Sequence, residues 1–155
     1  MKSSFTDNNA KWLKFVKTLP QIEKKEVAIG VQADAVDEET GEYIAVRALY
    51  NELGTVHIDA RPFISSTSDE RRNDWWAKFE QGLNKALYGT SHADAPFELS
   101  GLLAQRDITN KIRDIKTPSL AQSTIDRKGS SNPLIDTGQM RQSIRYEVRK
   151  AGTNV

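Results

Sequence analysis

Two segments of the chain alternate between apolar and polar residues, the pattern of a strand with one buried side. In residues 26–33 the apolar side carries Val27, Ile29 and Val31. In residues 144–150 it carries Ile144, Tyr146 and Val148. Residues 55–59 are also expected to be extended and are a candidate for a third strand. We therefore expect a small antiparallel sheet built from these segments.

The remaining apolar residues recur every three or four positions, which predicts several helices packed on the sheet. One runs from about residue 8 to Pro20 and carries Trp12 and Phe15, which we expect to fill the core. Others cover 43–53, 98–116 and, more briefly, 119–128. The predicted fold class is α+β, with an undetermined strand order.

The longest predicted helix spans about 68–88. Thr67 and Glu70 have the spacing of a capping box at its start. Two neighbouring tryptophans, Trp75 and Trp76, point about 100° apart on this helix, so both need not fit one core. One of them is a candidate for a subunit or partner interface, and a core position for both remains open.

Residues 51–63 read N-E-L-G-T-V-H-I-D-A-R-P-F and combine a helix end with a rigid turn. Gly54 suits the position after a helix, where positive φ is common. Pro62 fixes its own φ and keeps Arg61 out of the helical region. Phe63 then provides a large apolar anchor. This stretch predicts a rigid connection that holds the helix before Gly54 and the chain after Phe63 in a fixed relative position.

Composition predicts one domain over residues 1–155 with flexible tails at 1–7 and 151–155. The chain is 37% hydrophobic and 28% charged, with a net charge of +1, so no global field directs it to nucleic acid or membranes. The absence of cysteine excludes disulfides and thiolate metal sites. We find neither a signal peptide nor an apolar run of about 18 residues, so we expect no membrane span.

Candidate metal and catalytic residues are few. The acidic run Asp37, Glu38 and Glu39 lacks the alternating ligand positions of a calcium loop, and we expect it in an exposed loop over 36–42. His57 with Asp59 and His92 with Asp94 share a His-x-Asp spacing that could ligate a metal only if folding joined them. Exposed loops explain them better, and we expect no cofactor.

Asp136-Thr137-Gly138 matches the aspartic-protease tripeptide, which works only when two such aspartates share a proton. A helix cap by Asp136 or Thr137 is the favoured interpretation. Phosphate-binding and nucleophile motifs are missing, so we expect no catalytic residues. Basic residues accumulate late in the chain and could contact DNA phosphates or an acidic surface. They include Arg127, Lys128, Arg145 and Arg149.

Several blocks together resemble the tail-completion, or head–tail joining, proteins of long-tailed bacteriophages. They are N-E-L-G-T (51–55), H-I-D-A-R-P-F (57–63), S-T-I-D-R-K-G-S (123–130), P-L-I-D-T-G (133–138) and Q-S-I-R-Y-E-V (142–148). The family commonly shows E-F-G-T, then I-P-x-R-P-F, then T-I-x-x-K-G-S-x-x-P-L-I-D-T-G-x-L-x-x-S-I. Leu53 replaces the family's aromatic residue, Asp59 its proline and Met140 its leucine.

The resemblance implies a structural virion protein, assembled in the host cytoplasm, that forms a ring around the DNA channel at the head–tail interface. A hexamer is the expected ring. The implied partners are further copies of the chain, a head-side connector or stopper, and a tail terminator or tube protein, with at most non-specific contact to DNA. The motif residues expected to act as structural anchors are Glu52, Gly54, Thr55, Arg61, Pro62, Phe63, Pro133, Asp136, Thr137 and Gly138.

The loop 36–42 and the loop 88–97, with His92, are candidates for partner contact because loops adapt more readily than the scaffold. Two other functions stay open at this point. One is a nucleic-acid-binding module using the basic C-terminal segment. The other is a hydrolase that uses His57 and His92 through a metal, or Asp136 as an aspartic protease.

Overall fold

The computed structural model describes residues 4–152, with side chains from residue 9 onward, and it has an α+β fold. The predicted fold class is therefore confirmed. Within the described residues the chain forms six helices and a two-stranded antiparallel sheet. In chain order the elements are α1 Ser4–Glu23, β1 Lys25–Val31, α2 Ile44–Leu53, α3 Ser65–Leu87, α4 Ala95–Asp114, α5 Gln122–Lys128, α6 Gln139–Gln142 and β2 Ile144–Lys150.

Chain contacts divide the molecule into two compact units, and each unit combines segments that are distant in sequence. Unit 1 consists of the described parts of Met1–Ala28 and Tyr146–Val155 together with Asn73–Leu103. Unit 2 consists of Ile29–Arg72 and Ala104–Arg145. The elements β1, α3, α4 and β2 each supply residues to both units, so the units are not successive domains along the chain.

The predicted flexible tails lie partly outside the described residues. Residues 1–3 and 153–155 are among those not described, whereas residues 4–7 already belong to α1 and residues 151–152 form a turn. Within the described residues, no helix combines the length and apolar character needed to cross a membrane.

The register of the sheet is fixed by a backbone hydrogen bond at each end. The nitrogen of Ala151 donates to the oxygen of Lys24 at 2.9 Å, and the nitrogen of Gln32 donates to the oxygen of Ser143 at 3.0 Å. The same register places Glu26 opposite Arg149, and the two side chains form an ion pair at 2.8 Å. Such opposite charges directly across a strand pair stabilise the pairing modestly.

The third predicted strand is wrong. Residues 55–59 form a turn, because the nitrogen of Thr55 donates to the oxygen of Ile58 at 2.8 Å and the Thr55 hydroxyl accepts from the nitrogens of His57 and Ile58. The threonine hydroxyl offers the backbone a local partner, and this competes with strand pairing.

In unit 1 the core is a cluster of apolar side chains from α1, α3, α4 and both strands. Phe79 of α3 meets Phe97 of α4 edge to face, with ring centroids 5.2 Å apart. Gly82 lets the backbones approach, because a Cβ there would lie 2.6 Å from the Cα of Pro96. A glycine inside α3 is thus required by a close backbone contact.

In unit 2 the core is formed by α4 and its neighbours. The largest fully buried side chains of this unit are Phe63, Ile108, Ile112 and Ile144. Helix α2 packs against α6, which carries the buried Met140. Phe63, which ends the 51–63 segment, is completely buried.

Helix α1 does not end at Pro20 but continues to Glu23, with Pro20 inside it. A proline removes only one backbone donor and can be accommodated when the helix continues into buried contacts. Ile22, which lies beyond the proline, is buried in the core of unit 1. The expectation that Trp12 fills the core is wrong, because 62% of its surface is exposed.

The predicted capping box at α3 is also wrong. The helix begins at Ser65, so Thr67 lies within its first turn and donates its hydroxyl proton to the oxygen of Phe63 at 2.6 Å. Glu70 instead accepts a hydrogen bond from Lys111 of α4 at 2.6 Å. The capping role is taken by Glu52, which is distant in sequence.

The boundaries of the later helices also differ from the predicted ones. Helix α4 starts at Ala95 and ends at Asp114, and α5 starts only at Gln122. Neither Asp136 nor Thr137 caps α6, because its N-cap is Gly138, which has φ 84° and makes no side-chain cap bond. The chain enters this short helix through a left-handed glycine, so a preceding side-chain cap is not required.

Candidate functional site

The glutamate of the N-E-L-G-T block fixes α2 to the start of α3. One carboxylate oxygen of Glu52 accepts the backbone N–H groups of Phe63 and Ile64, at 2.8 and 2.9 Å. The other accepts the backbone N–H and the hydroxyl of Ser65, at 2.9 and 2.6 Å. These are amides that a helix start leaves without internal partners.

Burial alone would favour the neutral form of Glu52. The hydrogen bonds from Ile64, Ser65 and Phe63 outweigh that effect and hold the pKa of this carboxyl below its usual value. A charged carboxylate at the positive end of the α3 dipole is also electrostatically favourable. The Glu52 carboxylate therefore connects α2 to the start of α3.

Two further residues of the same segment have defined conformational roles. Gly54 ends α2 with φ 75°, and its N–H donates to the oxygen of Tyr50. A Cβ at Gly54 would lie 2.9 Å from the nitrogen of Ala60, so this position needs glycine both for its φ and for space. Pro62 is exposed and accepts a hydrogen bond from Ser66 at its carbonyl oxygen.

Arg61 is only 5% exposed and bonds to main-chain oxygens. Its Nε donates to the oxygen of Pro118 at 3.0 Å, and its Nη1 donates to the oxygen of Asp59 at 3.2 Å. Its own backbone nitrogen donates to the oxygen of Asn51 at 2.6 Å. The guanidinium thus joins the turn after α2 to the segment that follows α4.

The acidic loop 36–42 is closed by a bridge between Val36 and Tyr43. Contrary to the expected exposure, Asp37 is only 4% exposed. Its carboxylate accepts the N–H groups of Thr40 and Glu39 and pairs with Arg47 at 2.9 Å. These bonds, that from Thr40 first, lower the pKa of Asp37 to about 2 against the opposing effect of burial. Glu38 and Glu39 remain exposed.

A cleft of about 520 Å³ opens within unit 2. Its walls come from α2, from the end of α5 and from the loop of the P-L-I-D-T-G block. The lining residues that carry charge are Glu39, Arg47, Arg127, Lys128 and Asp136. The N-E-L-G-T block, through Asn51, and the P-L-I-D-T-G block therefore line the same cleft, although they are well separated in sequence.

Lys128 is a half-buried cation of this cleft. Its Nζ lies 3.4 Å from the oxygens of both Asn132 and Pro133. Burial lowers its pKa, the negative charge of Asp136 opposes that change, and three nearby arginines reinforce it. A buried acceptor, Gln139 Oε1, also belongs to the cleft lining and has no hydrogen-bond partner in the described chain.

The residues of the P-L-I-D-T-G block differ in their exposure to solvent. Pro133 and Leu134 are buried, whereas Asp136 and Thr137 are exposed on the cleft wall. Asp136 acts electrostatically on the neighbouring Lys128. Its predicted role as an internal anchor does not agree with this exposure.

Asn132, which the sequence did not indicate as a site residue, connects the P-L-I-D-T-G segment to the end of α4. It is buried, its Nδ2 donates to the oxygen of Arg113 at 2.8 Å, and its Oδ1 accepts the N–H of Leu134 at 3.1 Å. The Asn-Pro pair after a Gly-Ser-Ser break was the available signal, because asparagine often bonds to the backbone of its own turn.

The predicted interface residues on α3 differ in exposure. Trp76 is 60% exposed, stacks on Phe79 at 5.3 Å and donates to Glu80. Trp75 is only partly exposed. Trp76 is thus the one available for a partner.

The side chains of the two His-x-Asp pairs have different surroundings. His92 contacts Glu98 at 2.8 Å, and Asp94 pairs with Lys25. His57 lies in the exposed turn of unit 2. Over the described residues, no group of three or more His, Asp or Glu side chains is arranged to hold a metal ion.

The late basic residues differ from one another in their contacts. Arg149 pairs with Glu26, and Nη1 of Arg145 donates to the oxygens of Gln142 and Ile144. Arg127 is exposed beside the half-buried Lys128 on the cleft wall.

Neither a protein-family model, nor a curated protein, nor a solved structure shows detectable similarity to this chain.

Proposed function

We propose that this chain is a structural virion protein of a tailed bacteriophage, which forms a ring at the head–tail interface around the DNA channel. The observation that carries the proposal is the use that the fold makes of the motif residues. The residues of the blocks that match the tail-completion pattern serve mainly to fix backbone segments to one another. Glu52 binds the start of α3, and Arg61 binds the oxygen of Pro118.

The location of the motifs in the fold supports this proposal. The blocks 51–63 and 123–138 lie entirely in unit 2, and residues of both line or border one cleft. A scaffold of this type needs a defined shape, which buried hydrogen bonds to backbone groups provide. Catalysis would instead require converging titratable groups with a base and a nucleophile in reach.

The apolar surface of the described residues also supports an assembly role. Large hydrophobic side chains are exposed on α1, α2, α3 and α4, among them Leu53 at 70% and Trp76. Monomeric proteins rarely expose contiguous apolar patches of more than a few hundred Å². An oligomeric ring with neighbouring virion proteins would cover such surfaces.

The partners in this proposal are further copies of the chain, in a sixfold ring, with a head-side connector or stopper on one face and a tail terminator or tube protein on the other. The chain would assemble in the host cytoplasm and remain in the virion. Contact with DNA in the channel would be non-specific at most, and it would be weak because a net charge of only +1 gives little attraction to phosphates.

The test is the composition of tailed particles from a lysate of the strain that carries the gene. We expect peptides of this chain in purified particles and cryo-electron density for it as a ring at the neck. A stop codon in the gene should leave heads and tails unjoined, and the wild-type gene in trans should restore particles. Mature, infectious particles that lack the chain would exclude the proposal.

A nucleic-acid-binding module is the second candidate, because Arg127 and Lys128 stand together on the cleft wall. It predicts retention on duplex DNA that falls steeply with salt. Arg127→Gln with Lys128→Gln should abolish this retention, whereas Arg72→Gln, a change to an exposed arginine of α3, should not. An absence of salt-dependent retention in the wild type would exclude this candidate.

A further inference from the structure

Helix α2 presents its apolar stripe to solvent. Val46, Leu49, Tyr50 and Leu53 lie at helical spacing and are all exposed, while the opposite side buries Ile44 and Ala48. A surface helix normally turns its apolar stripe inward. This outward stripe, which we call the α2 face, therefore lacks the cover that its composition requires.

Helix α1 has a second outward stripe. Trp12, Val16 and Leu19 lie along one side of the helix and are exposed, and Leu13 borders them. Among the described side chains of α1, Thr18 and Ile22 are buried. We call the outward stripe of Trp12, Leu13, Val16 and Leu19 the α1 face.

The two faces match in length. Each runs over seven residue steps, from 12 to 19 and from 46 to 53. With a rise of about 1.5 Å per residue, each stripe is about 10 Å long. Stripes of equal length can interdigitate along most of their contact, as ridges pack into grooves between helices.

The charges around the two faces are opposite. Residues 9–24, around the α1 face, carry four lysines and one glutamate. Residues 36–60, which flank the α2 face in sequence, carry six carboxylates and one arginine. Asp37 and Glu42 pair with that arginine and Glu52 binds the start of α3, so the exposed carboxylates are Glu38, Glu39 and Asp59. This contrast occurs within a chain whose total charge is +1. Pairing α1 with α1, or α2 with α2, would bring like charges together, whereas pairing α1 with α2 brings opposite charges together.

We infer that the α1 face of one copy of the chain binds the α2 face of a second copy. The inference names the contact surface of the proposed ring and rests on that proposal. If each copy contacts a different neighbour through each of its two faces, the contact is heterologous, and its repetition produces the ring of the proposed function or an open filament. Reciprocal exchange of the same two faces between two copies would instead close a symmetric dimer.

Disulfide cross-linking tests the contact directly, because the chain contains no cysteine. Val16→Cys and Leu49→Cys each place one thiol at the centre of a face. We expect an oxidised mixture of the two single variants to form a cross-linked dimer, and either variant alone to form much less. The matched control pairs Val16→Cys with Lys78→Cys, an exposed position of α3.

The variant that carries both cysteines decides between contact within a chain and contact between chains. Cross-links between copies give a ladder of dimers and larger species on a denaturing gel. A monomer closed on itself would overturn the inference, and so would dimers of Val16→Cys alone at the yield of the mixture. Wild-type chain that remains monomeric by native mass spectrometry over the accessible concentration range would overturn it too.

Charge exchange provides a second measurement that needs no new thiol. Lys17→Glu should weaken self-association severalfold, and Glu38→Lys with Glu39→Lys should do the same. A mixture of the two variants should recover association, since each copy then offers one unaltered face to the other. Failure to recover would show that the charges do not face one another and would overturn the inference.

Vesicle flotation distinguishes the α1 face from a lipid-binding helix, since basic amphipathic helices also bind anionic membranes. We expect no flotation with vesicles that contain phosphatidylserine. Flotation that is lost in Trp12→Glu would assign the α1 face to lipid and overturn the inference. Particle composition decides the proposed function separately, so the chain could still be a virion protein if this contact proves wrong.

Discussion

The Glu52 carboxylate accepts the backbone N–H of Phe63 at 2.8 Å, across eleven residues of chain. Through this bond, and those to Ile64 and Ser65, a side chain of α2 caps the start of α3. The turn between them is thereby held at both ends, by Gly54 and by the buried Phe63. The neighbouring Arg61 ties the same turn to Pro118.

Replacement of Glu52 by Ala is expected to lower the free energy of unfolding by about 2 kcal/mol, because it leaves several buried or helix-terminal amides without an acceptor. Urea denaturation monitored by circular dichroism measures the change. Glu38→Ala is the control, because this exposed glutamate of the acidic loop should shift stability by less than about 0.5 kcal/mol. Equal effects of the two variants would show that the Glu52 bonds contribute nothing specific.

The Arg61 guanidinium is expected to contribute about 2 kcal/mol through its bonds to the oxygens of Pro118 and Asp59. Arg61→Met keeps the apolar stem but removes these donors. Arg72→Met is the control, because Arg72 forms an exposed pair with Asp69, and such pairs contribute little. Thermal unfolding of both variants under one buffer condition compares them. A smaller loss for Arg61→Met than for Arg72→Met would contradict the structure.

Gly82→Ala is expected to destabilise the fold by about 2 kcal/mol through overpacking, although alanine normally favours a helix. The new Cβ would lie 2.6 Å from the Cα of Pro96 and 2.9 Å from its nitrogen. Gly30→Ala is the control, since a Cβ there meets no atom within 4 Å and its φ is not positive. We expect Gly30→Ala to be neutral or stabilising in chemical denaturation, and a stabilised Gly82→Ala would refute the close contact.

Acid should destabilise the protein through Asp37 and Glu52, whose pKa values are lowered in the folded state. A carboxyl with a depressed folded pKa stabilises the fold above its unfolded pKa, and this stability is lost as the pH falls through the folded pKa. For Asp37 that window runs from the ordinary value of 3.8 down to about 2.

Asp37→Asn tests this assignment, because it keeps an acceptor for Thr40 and Glu39 but removes the charge that pairs with Arg47. We expect the variant to be less stable than the wild type at pH 7 and the difference to shrink as the pH falls from about 4 to about 2. Asp69→Asn on the exposed face of α3 is the control. Urea midpoints measured across this pH range provide the comparison, and a difference that stays constant with pH would contradict a lowered pKa for Asp37.

The sequence predicted elements well where one local pattern was strong. The strand 144–150 has the predicted limits, and the helix 43–53 with its stop at Gly54 is nearly identical to α2. It predicted the start of α3 poorly, because Thr67 and Glu70 fit a local capping rule while the amides were taken by a residue fifteen positions before Thr67 in the chain. A local capping rule does not take into account a residue distant in sequence that folding brings to the same amides.

Burial was less predictable than secondary structure. The periodicity of Val46, Leu49 and Leu53 correctly indicated a helix but could not say that this stripe points outward. Asp37 was expected in solvent with Glu38 and Glu39, yet Arg47 and the loop amides compensate its burial. Both outcomes depend on which surfaces the rest of the chain covers.

The sequence by itself determined the α+β class, the two strands and the turn around Gly54, because each depends on propensities of a few neighbouring positions. Only the tertiary structure decided that Glu52 caps α3, that Asn132 binds the oxygen of Arg113 near the end of α4, and that the apolar stripes of α1 and α2 remain uncovered. These relationships join residues far apart in the chain, and their free energies arise only when the packed segments exclude water and fix the distances between them.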